Sequence, residues 1–156
     1  QKKALYQQAI SQIEALTAGE SDTLLKMASM VAILKPSFES FYWVGFYRAQ
    51  SESGQLIIGP YQGTPACLKI PFHKGVCGTA AATRTTQVVE DVHAFPGHIA
   101  CDPLSQSEIV VPIINDQDQL IAVLDIDSSE LSTFDQTDKE MLEQLCGNLF
   151  SHGTLI

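Results

Sequence analysis

The sequence predicts an α+β fold: a mainly antiparallel, six-stranded sheet with the N- and C-terminal helices packed on one face. Two observations carry this prediction. Apolar residues recur at helical spacing near both ends of the chain, whereas β-branched and aromatic runs separated by short turns fill the middle. The length of 156 residues suits one hydrophobic core. We therefore predict a single domain over residues 1–156.

Three helices are predicted near the chain ends. Residues 4–17 form the first, with an apolar face of Leu5, Ile10, Ile13 and Leu16. Ser21 or Asp22 caps the second, Pro36 is expected to end it, and its apolar face combines Leu24, Met27, Ala28 and Val31. The last covers residues 134–152 and begins with Thr133 and Gln136 at capping-box spacing. Its inner face comprises Met141, Leu142, Leu145, Cys146 and Leu149.

Strands are predicted between these helices because aromatic and β-branched residues dominate six short segments. The segments are residues 41–49, 55–61, 66–72, 86–91, 108–115 and 119–127. A polar turn between the last two predicts a hairpin, in which Pro112 should take a position that needs no ladder donor. The glycine-rich start of residues 75–84 and the alanines after it predict a tight turn into a short helix.

Charge and cysteine usage exclude several classes of protein. The net charge of −9 argues against a nucleic-acid or anionic-membrane partner, because both surfaces repel an acidic protein. We find neither a signal peptide nor an apolar run near the roughly 18 residues of a membrane span. The four cysteines include no CxxC pair, and a core of this size does not need disulfides for stability. We expect a cytoplasmic protein whose thiols serve chemistry.

The irregular segment 92–107 is the first candidate site, because a structureless loop of about sixteen residues is uncommon in a compact domain and usually functional. Cys101 in this loop is a candidate nucleophile that solvent can reach. The alternative is a small apolar residue that fills a gap. His93 and His98 lie in the same loop, so a zinc-dependent hydrolase site with Cys101 is a further alternative. Their spacing matches no usual zinc signature, and we expect neither a metal nor another cofactor.

Cys67 and Cys77 are candidates for the second thiol that a thiol-based reductase needs. Cys67 lies at the start of a predicted strand, and Cys77 lies in a glycine-flanked turn. Once a cysteine nucleophile is oxidised to sulfenic acid, a resolving cysteine condenses with it, and an external reductant opens the disulfide. The residues themselves leave open which cysteine resolves, and a purely structural role stays open for either.

Acidic and aromatic side chains form a second candidate site. Asp125 and Asp127 end an apolar strand at period two and so share a face, while Glu108 begins the neighbouring strand. Repulsion among three carboxylates would raise at least one pKa. A protonated acid could then give its proton to a departing oxygen, and ionised acids could hold an ammonium group. The alternative is strand capping in water. The side chains of Trp43 and Tyr47 could line a pocket for an apolar ligand group, or they could simply pack in the core.

Several segments together resemble the free methionine-(R)-sulfoxide reductases, a family built on the GAF fold. The similar segments are WVGFY (43–47), LIIGPYQG (56–63), ACLKIP (66–71), GVCGTA (75–80), EDVHAFPGHIACD (90–102), SEIVVPI (107–113) and VLDIDS (123–128). Their order and spacing cover about residues 20 to 150. The rival interpretation is a sensory GAF domain that binds a nucleotide or chromophore, but a sensor has no need of three placed cysteines.

The resemblance implies that Cys101 attacks the sulfur of free methionine-(R)-sulfoxide, releases methionine and becomes a sulfenic acid. It implies that Cys67 forms the main disulfide with Cys101, that Cys77 is a further resolving or exchange thiol, and that a thioredoxin-like protein restores the thiols. The substrate would be held by an aromatic wall and by acids that bind the ammonium group and supply the proton: Trp43, Tyr47, Glu108, Asp125 and Asp127. A homodimer with a role in oxidative stress is also implied.

Overall fold

A six-stranded antiparallel sheet forms the centre of the fold in the computed structural model, which describes residues 1–99 and 101–156. The strands in chain order are β1 (Trp43–Gln50), β2 (Gln55–Gln62), β3 (Lys69–Pro71), β4 (Gln87–Val89), β5 (Ser107–Ile114) and β6 (Leu120–Ser128). They lie side by side in the order β3-β2-β1-β6-β5-β4, and each neighbouring pair is antiparallel. The predicted hairpin is formed by β5 and β6, and the predicted α+β architecture is confirmed.

Helices cover both faces of this sheet. The helices are α1 (Lys2–Thr17), α2 (Thr23–Ser37), α3 (Gly75–Thr83) and α4 (Gln136–Phe150). The core that contains α1, α2 and α4 also takes alternate side chains of the central strands: Val44, Phe46, Leu124 and Ile126. Because successive strand residues point to opposite faces, the residues between them serve the other face. The prediction that the terminal helices share one face is therefore confirmed, and α3 lies on the other.

The buried faces of α1 and α2 differ in part from the predicted ones. Leu5 and Leu16 of α1 are 43% and 60% exposed, because they lie on one flank of a helix whose buried residues are Tyr6, Ala9, Ile13 and Thr17. In α2, Leu24 is 50% exposed and Ala28 is exposed, because the buried residues are Thr23, Met27, Met30, Val31 and Leu34. Helical spacing allowed several apolar stripes, and packing selected one.

Helix ends and strand lengths also correct the sequence predictions. Asp22 caps α2 by accepting from the Leu25 N–H, but Pro36 lies inside the last turn, so the helix ends at Ser37. The capping box of α4 is formed by Asp135 and Asp138 and not by Thr133 and Gln136.

Strands β3 and β4 each have only three residues, because the sheet edges pair over a short stretch. Pro112 of β5 lies beyond the Glu108–Val110 stretch that pairs with β4, as expected of a residue without an N–H.

The face opposite the terminal helices carries a second core and an opening at one end. Val76 and Ala80 of α3 pack there with side chains of β5 and β6 such as Val110 and Val123. The segment 92–107 begins with a 3₁₀ turn, Val92–Ala94, and its Phe95 and Ile99 side chains pack on this core. No described helix has the length and hydropathy needed to cross a lipid bilayer.

Candidate active site

The register of β5 against β6 gathers three carboxyl groups on the α3 face of the sheet. Glu108 is paired directly with Asp127, and Val110 is paired with Asp125. Asp125 and Asp127 are two residues apart and therefore point to the same side, while Leu124 and Ile126 fill the opposite core. The three acids are only 7%, 5% and 9% exposed for Glu108, Asp125 and Asp127, respectively. The structure thus brings together the acids that the sequence placed at one sheet end.

Among the described residues, no cationic side chain neutralises these three acids. Within residues 1–99 and 101–156, no lysine, arginine or histidine forms an ion pair with any of them. One carboxylate oxygen, Asp125 Oδ1, is buried and has no hydrogen-bond partner in the described part of the chain. A buried polar atom without a partner costs free energy, and a buried charge costs more. The cluster therefore lacks a positively charged partner.

Burial is the main cause that raises the pKa of each acid well above its ordinary value. The next cause is repulsion between neighbours: Asp125 acts on the pKa of Glu108, Asp127 on that of Asp125, and Glu108 on that of Asp127. Like charges held together out of water cannot all ionise at neutral pH, so the group retains protons. The three acids thus titrate as one coupled unit that can both hold and release a proton.

Cys77 lies against this cluster at the start of α3. Its side chain is 4% exposed, and its Sγ donates to Glu108 Oε2 across 3.8 Å. Burial, followed by the neighbouring charge of Asp125, raises the pKa of the Cys77 thiol well above its ordinary value. Because the thiolate is the reactive form, Cys77 is a weak nucleophile in this state.

A disulfide joins Cys67 to Cys101 beside the acids. Its Cα atoms are 5.4 Å apart, and it links residues separated by 34 positions in sequence. It connects the segment before β3 to the loop 92–107, and both cysteines are half-buried. This is the pair that the resemblance implies. The remaining cysteines, Cys77 and Cys146, are buried thiols, and burial raises the pKa of Cys146 to about 12 within the helical core.

A hydrogen bond joins the same two segments as this disulfide. Thr64 Oγ1 donates to Asp102 Oδ2 at 2.6 Å, and the Leu104 N–H donates to Asp102 Oδ1 at 2.9 Å. Partial burial acts to raise the pKa of Asp102, but the hydrogen bonds outweigh it and hold that pKa below its ordinary value. An ionised Asp102 therefore fastens the end of the loop that carries Cys101 to the segment that carries Cys67.

Aromatic rings form the wall on the β1 side of the acids. The Trp43 and Tyr47 ring centroids are 6.1 Å apart, and Tyr61 of β2 stacks on Trp43 at 5.3 Å. Trp43 Nε1 donates to the Thr64 carbonyl at 2.9 Å, and the Tyr47 hydroxyl donates to the Cys67 carbonyl at 3.2 Å. Gly63 has a φ of +140° and lies so close to the indole that a Cβ there would overlap Trp43. The glycine therefore allows the indole to lie flat against the chain.

These features line one cavity of about 50 Å³. The lining includes seven of the eight site residues predicted from sequence: Trp43, Tyr47, Cys77, Cys101, Glu108, Asp125 and Asp127. Cys67 is bonded to the lining through Cys101. The chemistry available at one place is therefore an oxidisable cysteine pair, a third thiol, a proton-holding acid cluster and an apolar wall.

The comparisons with known proteins agree with this chemistry. A family model described as GAF domain matches residues 27–149. The chain is 43% identical over 148 residues to the free methionine-R-sulfoxide reductase of Escherichia coli, covering 95% of this chain and 88% of that protein. It is 43% identical over 149 residues to the free methionine-R-sulfoxide reductase of Saccharomyces cerevisiae, covering 92% and 83%, respectively. The chain belongs to the free methionine-R-sulfoxide reductase family.

A solved member of this reductase family has closely similar geometry. The Neisseria meningitidis enzyme, crystallised in complex with its substrate, superposes with a TM-score of 0.91 at 45% identity, covering 97% of this chain and 89% of that chain. The GAF-like fold predicted from sequence is confirmed. Membership of the family makes the protein an oxidoreductase and decides against the sensory interpretation.

The zinc site considered as an alternative needs a Cys101 sulfur that the disulfide occupies in this state. Cys101 is bonded to Cys67, so its sulfur is not available as a ligand. The His93 and His98 rings meet edge to face with centroids 5.9 Å apart, and only His98 lines the cavity. Burial and the charge of His93 lower the pKa of His98. His98 therefore belongs to the lining of the cavity, and His93 contacts it from outside that lining.

Sequence reasoning missed two contributors to the site. Tyr61 lies two residues before Gly63 and extends the aromatic wall, and Thr64 links Trp43 to Asp102. Tyr61 lies at the end of β2 and Thr64 in the turn after it, in a stretch without apolar periodicity. The signal that was present is Gly63 itself, since a glycine next to a strand end often marks close approach of another group.

Proposed function

We propose that the protein reduces free methionine-(R)-sulfoxide to methionine with a cysteine pair that an external dithiol recycles. The observation that carries the proposal is a buried acid cluster without a cation, located beside the Cys67–Cys101 disulfide. A free amino acid brings the ammonium group that this cluster lacks. The E. coli and yeast relatives bear this activity in their names, and the Neisseria enzyme binds its substrate in the same fold.

In the first step, the Cys101 thiolate attacks the sulfoxide sulfur. The new bond between the two sulfurs and the sulfur–oxygen bond of the substrate both break as the oxygen passes to the Cys101 sulfur, so methionine leaves and Cys101 becomes a sulfenic acid. The thiol sulfur is oxidised by two electrons and the substrate sulfur is reduced by two. The departing oxygen must be protonated, and a carboxylic acid of the cluster supplies that proton.

In the second step, the Cys67 thiol attacks the Cys101 sulfenic sulfur and releases water. The product is the disulfide seen between these residues, whose Cα atoms are 5.4 Å apart. A thioredoxin-like dithiol then reduces this disulfide with two electrons and two protons. Cys77 serves as a further exchange thiol, since it lies against the acids and outside the disulfide.

The acid cluster divides into ammonium-binding and proton-donating groups. Three carboxyl groups at this burial cannot all be ionised, so one keeps a proton while the others attract the substrate ammonium. A methionine sulfoxide residue within a peptide has no ammonium group to offer, and it would leave Asp125 Oδ1 without a partner. Specificity for the free amino acid follows from that unpaired atom.

The aromatic wall and the loop give the site its shape. Trp43 and Tyr47 line the cavity beside the acids, since Trp43 is paired with Asp127 across β1 and β6, and an apolar surface there suits a methyl group. The cavity of about 50 Å³ has room for only a few water molecules in the disulfide state. A whole amino acid needs more space, so we propose that the loop 92–107 moves aside when the disulfide is reduced.

Family membership also supports proposals about domain organisation, oligomeric state and cellular location. We propose a single catalytic domain over residues 1–156, a homodimer, and activity in the cytoplasm during oxidative stress. Two buried thiols, Cys77 and Cys146, that remain unoxidised while the chain holds a disulfide suit a reducing compartment, in which the disulfide is a catalytic state and not a permanent one.

A thioredoxin-coupled assay that follows NADPH tests the function. Free L-methionine-(R)-sulfoxide should be turned over, while the S epimer and a peptide-bound sulfoxide should not. The Cys101→Ser variant should lose activity by at least roughly 10³-fold, because the nucleophile is gone. Cys146→Ser is the matched control, since it removes a thiol from the helical core and should remain active. Turnover by Cys101→Ser, or inactivity of the native protein towards all three substrates, would contradict the proposal.

A further inference from the structure

Three potential metal ligands converge in the cavity from three separate elements. Atoms of Cys77, Glu108 and Asp125 lie within 4.8 Å of one another, and all three residues are buried. The Cys77 Sγ to Glu108 Oε2 distance is 3.8 Å. A tetrahedral zinc ion with ordinary Zn–S and Zn–O bond lengths would hold such atoms about 3.5 Å apart. The Cys77–Glu108 pair is therefore within a few tenths of an ångström of zinc geometry, and the Asp125 ligand atom lies within 4.8 Å of both.

A second observation points to a positively charged occupant. Asp125 Oδ1 has no hydrogen-bond partner among the described residues, although its residue is only 5% exposed. Within the same part of the chain, no lysine, arginine or histidine pairs with Glu108 or Asp125. A buried carboxylate oxygen without a partner is a costly arrangement that a divalent cation would relieve.

We propose that Cys77, Glu108 and Asp125 bind one Zn²⁺ ion in the cavity and that this ion inhibits the protein by taking the place of the substrate ammonium group. One thiolate and two carboxylates neutralise the ion with one negative charge in excess. Binding transfers the thiol proton of Cys77 to solvent. The fourth coordination position faces the cavity, where water occupies it.

The size and location of the cavity suit an ion better than a larger ligand in this state. Its volume of about 50 Å³ accommodates an ion with a few waters. Exposed residues such as Thr64 and Lys74 are part of its lining, so the ion can enter from the surface. Since Cys67 and Cys101 are joined in a disulfide, the three proposed ligands are available without them.

The test uses the oxidised protein with its Cys67–Cys101 disulfide intact, in buffer free of thiols. Co²⁺ is the spectroscopic probe, because a cobalt–thiolate bond gives a charge-transfer absorption in the near ultraviolet. One equivalent of Co²⁺ should produce this band, and one equivalent of Zn²⁺ should abolish it by displacement. Absence of the band at millimolar Co²⁺ would overturn the proposal.

Variants identify the ligands. Cys77→Ser should abolish the band, whereas Cys146→Ser, which removes the other buried thiol, should keep it. Asp125→Asn and Glu108→Gln should each weaken Co²⁺ binding at least roughly tenfold, and they are close isosteres that serve if Cys77→Ser does not fold. A band that survives in Cys77→Ser and in both amide variants would place the ion elsewhere.

The proposed inhibition by Zn²⁺ rests on the proposed reductase function. An experiment can show that the inhibition is absent without showing that the metal site is absent. Zn²⁺ should inhibit reduction of free methionine-(R)-sulfoxide competitively with the substrate when the reductant is a phosphine, which replaces metal-binding dithiols. Binding of Co²⁺ by a protein that lacks reductase activity would overturn the function and leave the site standing. Active protein that binds Co²⁺ but resists Zn²⁺ would overturn the inhibition alone.

Discussion

The two faces of the sheet each bury acidic side chains, but only those on the helical face have a cationic partner among the described residues. On the helical face, Asp138 of α4 is 1% exposed and fully partnered. It accepts from Lys2 Nζ at 2.7 Å, from the Tyr6 hydroxyl at 2.5 Å and from the Asp135 N–H at 2.8 Å. On the α3 face, Glu108, Asp125 and Asp127 are almost as deeply buried and have no cationic partner in residues 1–99 and 101–156.

The difference separates a structural acid from acids kept for a ligand. Asp138 connects α1 to the start of α4, so its partners fix the position of the N-terminal helix. Burial and the charge of Asp138 raise the pKa of Tyr6, so the phenol stays a hydrogen-bond donor. The acids on the α3 face, where Glu108 accepts from Cys77, repel one another, and a folded chain tolerates that cost where binding or catalysis uses it.

The largest effect expected from this comparison concerns activity. Replacing the three acids of the α3 face one at a time by amides (Glu108→Gln, Asp125→Asn, Asp127→Asn) should lower the rate, because each amide loses either the proton or the charge that the substrate uses. The proton donor should lose about 10²–10⁴-fold in kcat, and an ammonium-binding acid should mainly raise KM. Steady-state kinetics with free methionine-(R)-sulfoxide makes this assignment. The fully partnered Asp138→Asn is the control, and wild-type kinetics in all three amide variants would refute the catalytic role.

The next effect is on stability at the partnered acid. Asp138→Asn removes a charge that Lys2 and Tyr6 both contact, so it should lower the free energy of unfolding by about 2 kcal/mol. Urea unfolding measures this loss, and Glu140→Gln on the exposed side of α4 is the matched control. Activity per folded molecule should be unchanged. An unaltered unfolding midpoint would show that the contacts of Asp138 contribute nothing net.

The smallest expected effect is a gain in stability, in contrast to the loss expected for Asp138→Asn. Asp125→Asn should raise the free energy of unfolding by about 1 kcal/mol at neutral pH, because the amide ends the repulsion and can donate to its neighbours. The folded-state pKa of Asp125 is raised above its ordinary value, so the native state binds more protons than the unfolded state and its stability falls as pH rises through that range.

Thermal unfolding of Asp125→Asn at about pH 5 and about pH 8, with a chelator present, should therefore show a smaller loss of stability than in the native sequence. The groups that face Asp125 and titrate with it are Cys77, Glu108, Asp127 and Tyr47. A variant less stable than the native protein at both pH values would mean that the acid cluster is stabilising after all.

Much of the fold and part of the site could be predicted from local sequence patterns. Period-two alternation in residues 119–127 placed Asp125 and Asp127 on one face, and the hairpin turn placed Glu108 beside them. Helical spacing identified α1 and α2 but only part of their buried faces: Ile13 is buried as predicted, whereas the predicted Leu5 and Leu24 are exposed. The N-cap at Asp135 was missed because Thr133 offers the same chemistry two residues earlier.

The sequence by itself determined the α+β class, the strand periodicity and the kinds of chemical group available: thiols, carboxylates and aromatic rings. These are local properties, because the side-chain period of a strand or helix depends only on neighbouring residues. Only the tertiary structure decided that Cys101 is bonded to Cys67 while Cys77 contacts Glu108. It also decided that Asp138 forms an ion pair with Lys2, whereas Asp125 Oδ1 has no hydrogen-bond partner among the described residues. Pairing and desolvation depend on residues far apart in the chain, and their energies exist only once the chain is folded.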